Sequence, residues 1–242
     1  MKRRYFIKTS ALAALGVSFL PNLSFSQNEI SNKELIGKGN PKLFGNGYQL
    51  RKEAHNAFIE MKKAALNSGI KIQVVSSYRN YDHQKRIWNR KYKTYINKGL
   101  TEVKAIEKII EYSTIPGTSR HHWATDIDII DANVKQPKSV LSPKNFTDNG
   151  CYFKLKQWLD EHANNFGFYL VYTNDNKRKG FKYEPWHFTY APLSTSYLKA
   201  YRTLDLEVVL KQNEVLGNSN FSSEFIEKYL SENILDINTK LL

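Results

Sequence analysis

Apolar residues recur at helical spacing between positions 50 and 66, with Leu50, Ala54, Phe58, Met61 and Ala65 forming one stripe. Gly69 ends that run. Ile70 to Ser76 is rich in β-branched side chains and reads as a strand. Residues 81–97 read as a second helix, with Ile87, Trp88, Tyr92 and Tyr95 on related faces, and 103–112 as a third. Pro116-Gly117 marks a turn. Asp126 to Ile130 alternates polar and apolar positions and reads as a strand. The stretch 132–150 holds two prolines, several Asn and Asp, and no period, so it reads as a long loop. A helix over 153–166 closes at Gly167. Strands over 168–172 and 186–190 flank a charged turn at 174–180 and are expected to pair as a hairpin. The Gly/Asn-rich entry, 27–47, reads as loop, and beyond Pro192 the pattern is helical to the end.

This order predicts an α+β domain with a small, partly antiparallel sheet and flanking helices. The expected division is a leader over 1–26, a catalytic-sized domain over 27–194, and a C-terminal helical extension over 195–242. The leader has the order of an export signal: Lys2, Arg3, Arg4 and Lys8, an apolar run from Ala11 to Leu20, then Pro21 and Ser24-Phe25-Ser26. Its Arg3-Arg4-x-Phe6-Ile7-Lys8 pattern resembles a bacterial twin-arginine signal, which implies export to the periplasm or cell envelope in a folded state. The run is too short to span a membrane comfortably, so no stable membrane span is expected once the leader is removed.

Charge and cysteine content narrow the chemistry. The net charge is +13, and setting aside the four leader cations leaves +9 on the remainder. Such a surface favours polyanions. With export expected, an acidic wall polymer fits better than nucleic acid. The single cysteine, Cys151, excludes an internal disulfide and a Cys-rich zinc site. It is expected to be a buried structural thiol. Any zinc must therefore rely on His and carboxylates.

Three segments carry residues of that kind: Ser76-Ser77-Tyr78-Arg79-Asn80-Tyr81 with Gln84; Pro116 to Asp128, which includes Ser119, His121, His122, Asp126 and Asp128; and Glu184-Pro185-Trp186-His187. A catalytic zinc takes three protein ligands and keeps one open position. A turn histidine, a carboxylate on the following strand, and His187 on another strand meet that need. Glu184, three residues before His187, is placed to act as a general base. Asp126 and Asp128 share a strand face, and spacing does not choose between them or between His121 and His122. Ser119 beside His121 also raises a serine-hydrolase reading, but no Gly-x-Ser-x-Gly elbow is present. His55, His83 and His162 read as structural or solvent-facing.

Together the three segments resemble the signatures of the zinc D-alanyl-D-alanine carboxypeptidase family, whose members include vancomycin-resistance-type D,D-carboxypeptidases and L,D-carboxypeptidases of peptidoglycan. The resemblance covers roughly residues 45–192 and implies the hedgehog/D,D-peptidase-like fold. It implies Zn2+ on His121, Asp128 and His187, with Glu184 as base and Arg79 steadying the oxyanion. It also implies substrate contacts at Ser119, Gln84, Tyr78 and Trp186, and peptidoglycan stem peptides as substrate. Three positions depart from the family pattern: Ala124 and Ser77 replace glycines, and Asp126 replaces an alanine. Ala124 is expected to be tolerated if its φ is negative, and Asp126 puts an extra carboxylate on the ligand-bearing face, where it would either support a ligand from outside the metal's own shell or reshape specificity. An endopeptidase of the same fold and a wall-binding domain with structural zinc are the competing readings.

Overall fold

The structure is a computed structural model that describes residues 30–212 and 214–242. The expected leader, 1–26, lies outside the described residues. The chain forms a four-stranded sheet in the order β1-β2-β4-β3, where β1 is Ile72–Ser76, β2 Asp126–Asp131, β3 Phe168–Leu170 and β4 His187–Tyr190. Every pairing is antiparallel, so the sheet is more regular than the partly antiparallel one expected. The β3–β4 hairpin is present, with Phe168 opposite Tyr190.

Helices follow the apolar stripes. After a single helical turn, α1 (Asn32–Leu35), inside the expected entry loop, α2 spans Lys52–Asn67 and α3 Tyr81–Asn97. The α3 start is set by Asn80, whose side-chain oxygen accepts from the His83 backbone N–H. Thr101 caps α4 (Glu102–Ile109) in the same way. Then α5 (Phe153–His162) tightens into a 3₁₀ turn and stops at Gly167, which has φ +77°, as the glycine predicted. Beyond it run α6 (Ala191–Tyr201), α7 (Leu206–Lys211) and α8 (Ser223–Tyr229). The expected boundary after residue 194 falls inside α6. Among the described residues no helix is long and apolar enough to cross a membrane.

Two apolar clusters position the site. One face of the sheet, carrying Ile72, Ile127, Ile129, Phe168 and Phe188, packs on Phe58 and Met61 of α2 and Leu155 and Leu159 of α5. The second cluster joins Trp88 and Tyr92 of α3 and Ile106 of α4 to Tyr201, Leu210, Ile226 and Tyr229 of the C-terminal helices. All six residues of β2 are buried. Over its first four residues, Asp126 to Ile129, the alternation therefore separates an apolar face from a polar face that is also covered, rather than a core from solvent. The polar face carries the chemistry.

The C-terminal helices also reach the turn before the site. The Tyr201 hydroxyl donates to Gly117 O at 2.9 Å. The Tyr229 hydroxyl accepts from the Ile115 N–H at 3.0 Å and pairs with the Thr118 hydroxyl at 2.8 Å. That turn leads straight into Ser119 and His121.

Candidate active site

Strand register builds the centre. Asp128 stands directly opposite His187 in the β2–β4 pair, and Asp126 opposite Thr189. All four side chains therefore share the polar face. The β1–β2 pairing shifts register between Val74 and Ser76, which brings Ser76 opposite Asp128. The next residue, Ser77, offers its carbonyl to His121. His121 itself lies in a one-turn 3₁₀ segment, Arg120–Trp123, immediately before β2.

His121, Asp128 and His187 offer ligand atoms that all lie within 4.8 Å of one another. His121 Nε2 is 3.5 Å from Asp128 Oδ2, and His187 Nδ1 is 3.6 Å from Asp128 Oδ1. The other nitrogen of each imidazole is already held: His121 Nδ1 donates to Ser77 O at 2.7 Å, and His187 Nε2 to Asp126 Oδ1 at 2.9 Å. These contacts leave His121 Nε2 and His187 Nδ1 turned to the centre, the arrangement that outer partners impose on metal-bound histidines. Asp128 Oδ1 is buried with no hydrogen-bond partner. Two imidazoles, one carboxylate and an unsatisfied carboxylate oxygen fit a metal ion of the zinc type.

Asp126 is not a fourth donor to this centre. Its two oxygens take four donors: Arg120 Nε at 3.0 Å and His187 on Oδ1, and the Thr125 and Thr189 hydroxyls at 2.6 and 2.7 Å on Oδ2. Burial opposes its charge, but Arg120 and His187 outweigh burial and hold the carboxyl far below the usual range. Burial likewise opposes charge on His187, yet hydrogen bonds to Asp126 and Glu184 raise its pKa to about 10. As a ligand this imidazole must release its Nδ1 proton, so metal and proton compete for that atom.

His122 is a structural residue. Its Nδ1 donates to Arg79 O at 2.6 Å, and its Nε2 accepts from the Gly117 N–H at 3.2 Å. Burial lowers its pKa to about 3, so it stays neutral in that double bond. The serine-hydrolase pairing is absent, because His121 turns to Ser77 O and Ser119 Oγ has no partner.

A cleft of about 440 Å³ opens over the centre. Its walls include Arg79, Ser119, Glu184 and Trp186 together with the three candidate ligands. A backbone turn, closed by the His187 N–H on Glu184 O at 3.0 Å, sets Glu184 beside His187. Glu184 Oε2 lies 3.0 Å from His187 Nδ1. Burial raises the pKa of Glu184 against the pull of His187. Arg79 Nε is buried without an acceptor. Burial lowers the Arg79 pKa, while Asp128 and Glu184 sustain its charge.

Two expected substrate contacts lie elsewhere. Gln84 is fully buried and donates from Nε2 to Thr114 O at 2.9 Å, so it braces the pocket wall from behind. Tyr78 is half-buried outside the cleft, with Arg51 and Glu34 as its charged neighbours. Its position one residue before Arg79 in an extended segment turns it to the opposite side. Cys151 is exposed rather than buried, and it does not line the cleft. It falls in the turn before α5, outside the apolar stripe. His55, His83 and His162 are also outside the cleft.

A model of the VanY family, described as D-alanyl-D-alanine carboxypeptidase, matches residues 47–193, more than half of the chain. The chain belongs to the VanY family. It is 30% identical over 148 residues to a D-alanyl-D-alanine carboxypeptidase of Enterococcus faecalis, a match covering 61% of this chain and 50% of that protein. It is 31% identical to an uncharacterized protein of Haemophilus influenzae, covering 50% of this chain and 93% of the relative. This chain thus spans about half the length of the enterococcal relative. Among solved structures, VanYB in complex with D-alanine-D-alanine aligns with a TM-score of 0.53 at 25% identity, over 73% of this chain and 92% of that one. A VanY D,D-pentapeptidase mutant solved with Zn(II) aligns at a TM-score of 0.52 and 24% identity, over 68% and 85% of the two chains, and shares the fold.

Local structure explains one departure from the VanY pattern and makes a second more costly than expected. Ser77 uses its hydroxyl to accept from the Gln49 N–H at 2.9 Å. Ala124 fails the condition set for it: its φ is +59° and ψ +32°, the left-handed conformation, rather than negative. It is the only non-glycine residue at positive φ among the described residues. That conformation costs an alanine about 1–2 kcal/mol. The residue must reverse the chain between the His121 turn and β2, so the strain is local to the site. Ala124→Gly is therefore expected to range from neutral to about 1 kcal/mol stabilising, opposite in sign to Ala→Gly in a helix. Thermal melting checks this, and a clear loss of stability would show that packing of the buried methyl outweighs the strain.

Proposed function

We propose that the protein is an exported, zinc-dependent carboxypeptidase that removes a terminal D-alanine from peptidoglycan stem peptides. The observation that carries this reading is one cleft in which the three-donor centre of His121, Asp128 and His187 meets a buried Glu184 and an unsatisfied Arg79. Membership of the VanY family supports the substrate class. The basic leader with its paired arginines supports export to the periplasm or envelope.

Zinc held by His121, Asp128 and His187 would supply Lewis-acid chemistry and bring the pKa of a water down toward ~7. Glu184 accepts the proton that the water gives up as it attacks the amide carbonyl carbon. Arg79 donates from its unsatisfied Nε toward the oxygen on which negative charge develops. When the C–N bond breaks, Glu184 returns the proton to the departing amine. Ser119 offers a free hydroxyl to the peptide, and Trp186, braced on Phe146 at a ring separation of 5.9 Å, forms an apolar wall.

Purified protein should release free D-alanine from pentapeptide or tetrapeptide muropeptides. A chelator should abolish the release, and added zinc should restore it. Product analysis also separates D,D from L,D cleavage. Cleavage within the stem or the cross-link would replace this reading with an endopeptidase. Activity indifferent to chelator would remove the metal from it.

A further inference from the structure

The stretch matched by the VanY model ends at residue 193, yet the helices beyond it reach the walls of the cleft. Tyr229, the last residue of α8, is buried. Its hydroxyl accepts from the Ile115 N–H at 3.0 Å and lies 2.8 Å from Thr118 Oγ1. The Thr118 hydroxyl has one hydrogen, which it donates to Ile115 O at 2.8 Å. Tyr229 is therefore the donor to Thr118. Each hydroxyl gives one bond and takes one, so the network is closed. Tyr201 of α6 adds a bond from its hydroxyl to Gly117 O at 2.9 Å.

Ser119 follows Thr118 directly, lines the cleft, and has no partner on its Oγ. Its side chain therefore does nothing to fix its own place, and the backbone must. From one side the His122 N–H holds Ser119 O at 3.0 Å; from the other the two tyrosines hold residues 115, 117 and 118. His121 has anchors of its own: Nδ1 donates to Ser77 O at 2.7 Å, and its carbonyl accepts from the Arg79 N–H at 3.1 Å. The ring of Tyr229 serves a second cleft residue. It meets Phe181 edge-on at a ring separation of 6.3 Å, and Phe181 packs in turn on Tyr172 at 5.1 Å. Arg178 ties the same segment to the C-terminal chain, donating from Nη2 to Phe181 O at 3.0 Å and to Asp236 O at 2.8 Å.

We infer that Tyr229 is a positioning residue of the peptide-binding cleft: its hydroxyl sets the turn that presents Ser119, and its ring backs Phe181. The helices beyond the family match are then part of the substrate site, not a unit appended to it. The inference rests on the carboxypeptidase reading and deepens it. Tyr229 touches neither the peptide nor the metal and acts only through residues that line the cleft. Phenylalanine at this position keeps the ring and its contact with Phe181. It leaves the buried Ile115 N–H without an acceptor and Thr118 Oγ1 without a donor, so the turn relaxes toward other partners. Ser119 moves with the turn, whereas His121 stays on its own anchors. Peptide binding should therefore suffer while the metal site does not.

The test compares the zinc-loaded full chain with Tyr229→Phe, Thr118→Val, Thr118→Ser and the double variant Tyr229→Phe with Thr118→Val, using a pentapeptide muropeptide. Ile226→Val, a substitution in the same buried cluster, controls for lost stability. Tyr229→Phe should raise KM by about 3- to 10-fold, the range for one neutral hydrogen bond, with kcat changed much less. Zinc affinity, read by chelator competition, should match that of the unaltered chain. Thr118→Val should behave like Tyr229→Phe, and Thr118→Ser, which keeps the hydroxyl, should keep KM. The double variant should be little worse than either single one, because both cut the same network. Ile226→Val should lower the melting temperature and leave KM alone. Hydrogen exchange gives a readout independent of cleavage: in Tyr229→Phe it should rise in the peptide spanning 113–120. An unchanged KM in Tyr229→Phe, an equal rise in Ile226→Val, or zinc loss in step with KM would overturn the inference. Equilibrium binding of the muropeptide to zinc-loaded Glu184→Gln separates it from the proposed reaction. Binding weakened by Tyr229→Phe, with no hydrolysis by the unaltered chain, would retain this inference and sink the reaction. Hydrolysis with binding indifferent to Tyr229 would do the reverse.

Discussion

Replacing Glu184 by Ala or Gln is expected to lower muropeptide hydrolysis by about 10²–10⁴-fold, the usual contribution of a positioned general acid–base group. Zinc content should stay near that of the unaltered protein. The reason is geometric. Glu184 stands outside the set of His121, Asp128 and His187, whose ligand atoms converge. Its Oε2 nevertheless lies 3.0 Å from His187 Nδ1, at the edge of the metal position. Burial raises its pKa, so the carboxyl is suited both to take a proton and to give it back. Asp128→Ala provides the contrast, because it removes a ligand and should lose metal and activity together. Zinc measured by atomic absorption beside single-turnover rates separates the two variants. Full activity in Glu184→Gln would end its assignment as the base.

Much of this architecture is legible in the sequence because it is encoded locally. The α3 helix runs over Tyr81–Asn97, the range its spacing predicts, since Asn80 caps it and Gly99 follows it. Gly167 stops the α5 segment at the predicted position, because the left-handed backbone there favours glycine and a Cβ would meet the Tyr190 ring at 2.8 Å. His187 with Glu184 is legible for the same reason: both lie on one turn. What is not legible depends on how separate elements meet. The direct pairing of β2 with β4 puts Asp128 opposite His187, and no local pattern predicts that pairing. The bulge in β1 aims Ser77 O at His121, which decides between the two adjacent histidines. The misplacement of Gln84 follows from reading a motif position as a contact, when its helix face turns inward. The φ of Ala124 carried no signal, since alanine gives no hint of a left-handed residue.

Asp126 is the second position at which a large loss is expected. Asp126→Ala should weaken zinc binding by about 10- to 100-fold, as removal of a ligand's outer partner typically does. It should also destabilise the fold by about 3–5 kcal/mol, because Arg120 would remain buried without its counter-ion. Both effects follow from one carboxylate in two roles. Toward the core it pairs with Arg120 Nε at 3.0 Å, while Arg120 Nη2 also bonds Thr189 and its guanidinium stacks 4.7 Å from the Trp123 ring. Toward the centre it holds His187 Nε2, which keeps Nδ1 directed at the metal position. Tyr172 packs edge-on against the same imidazole at 5.1 Å and braces it from another side. A double variant, Arg120→Met with Asp126→Leu, removes the unpaired charge along with the carboxylate and should recover much of the stability. It should not recover the zinc affinity, since His187 Nε2 would still lack its acceptor. Chelator competition reads the first quantity, and urea unfolding of metal-free protein reads the second. If zinc affinity in the double variant returned to that of the unaltered chain, Asp126 would be a counter-ion for Arg120 alone, and the substitution of this residue for the family's alanine would have no part in the metal site.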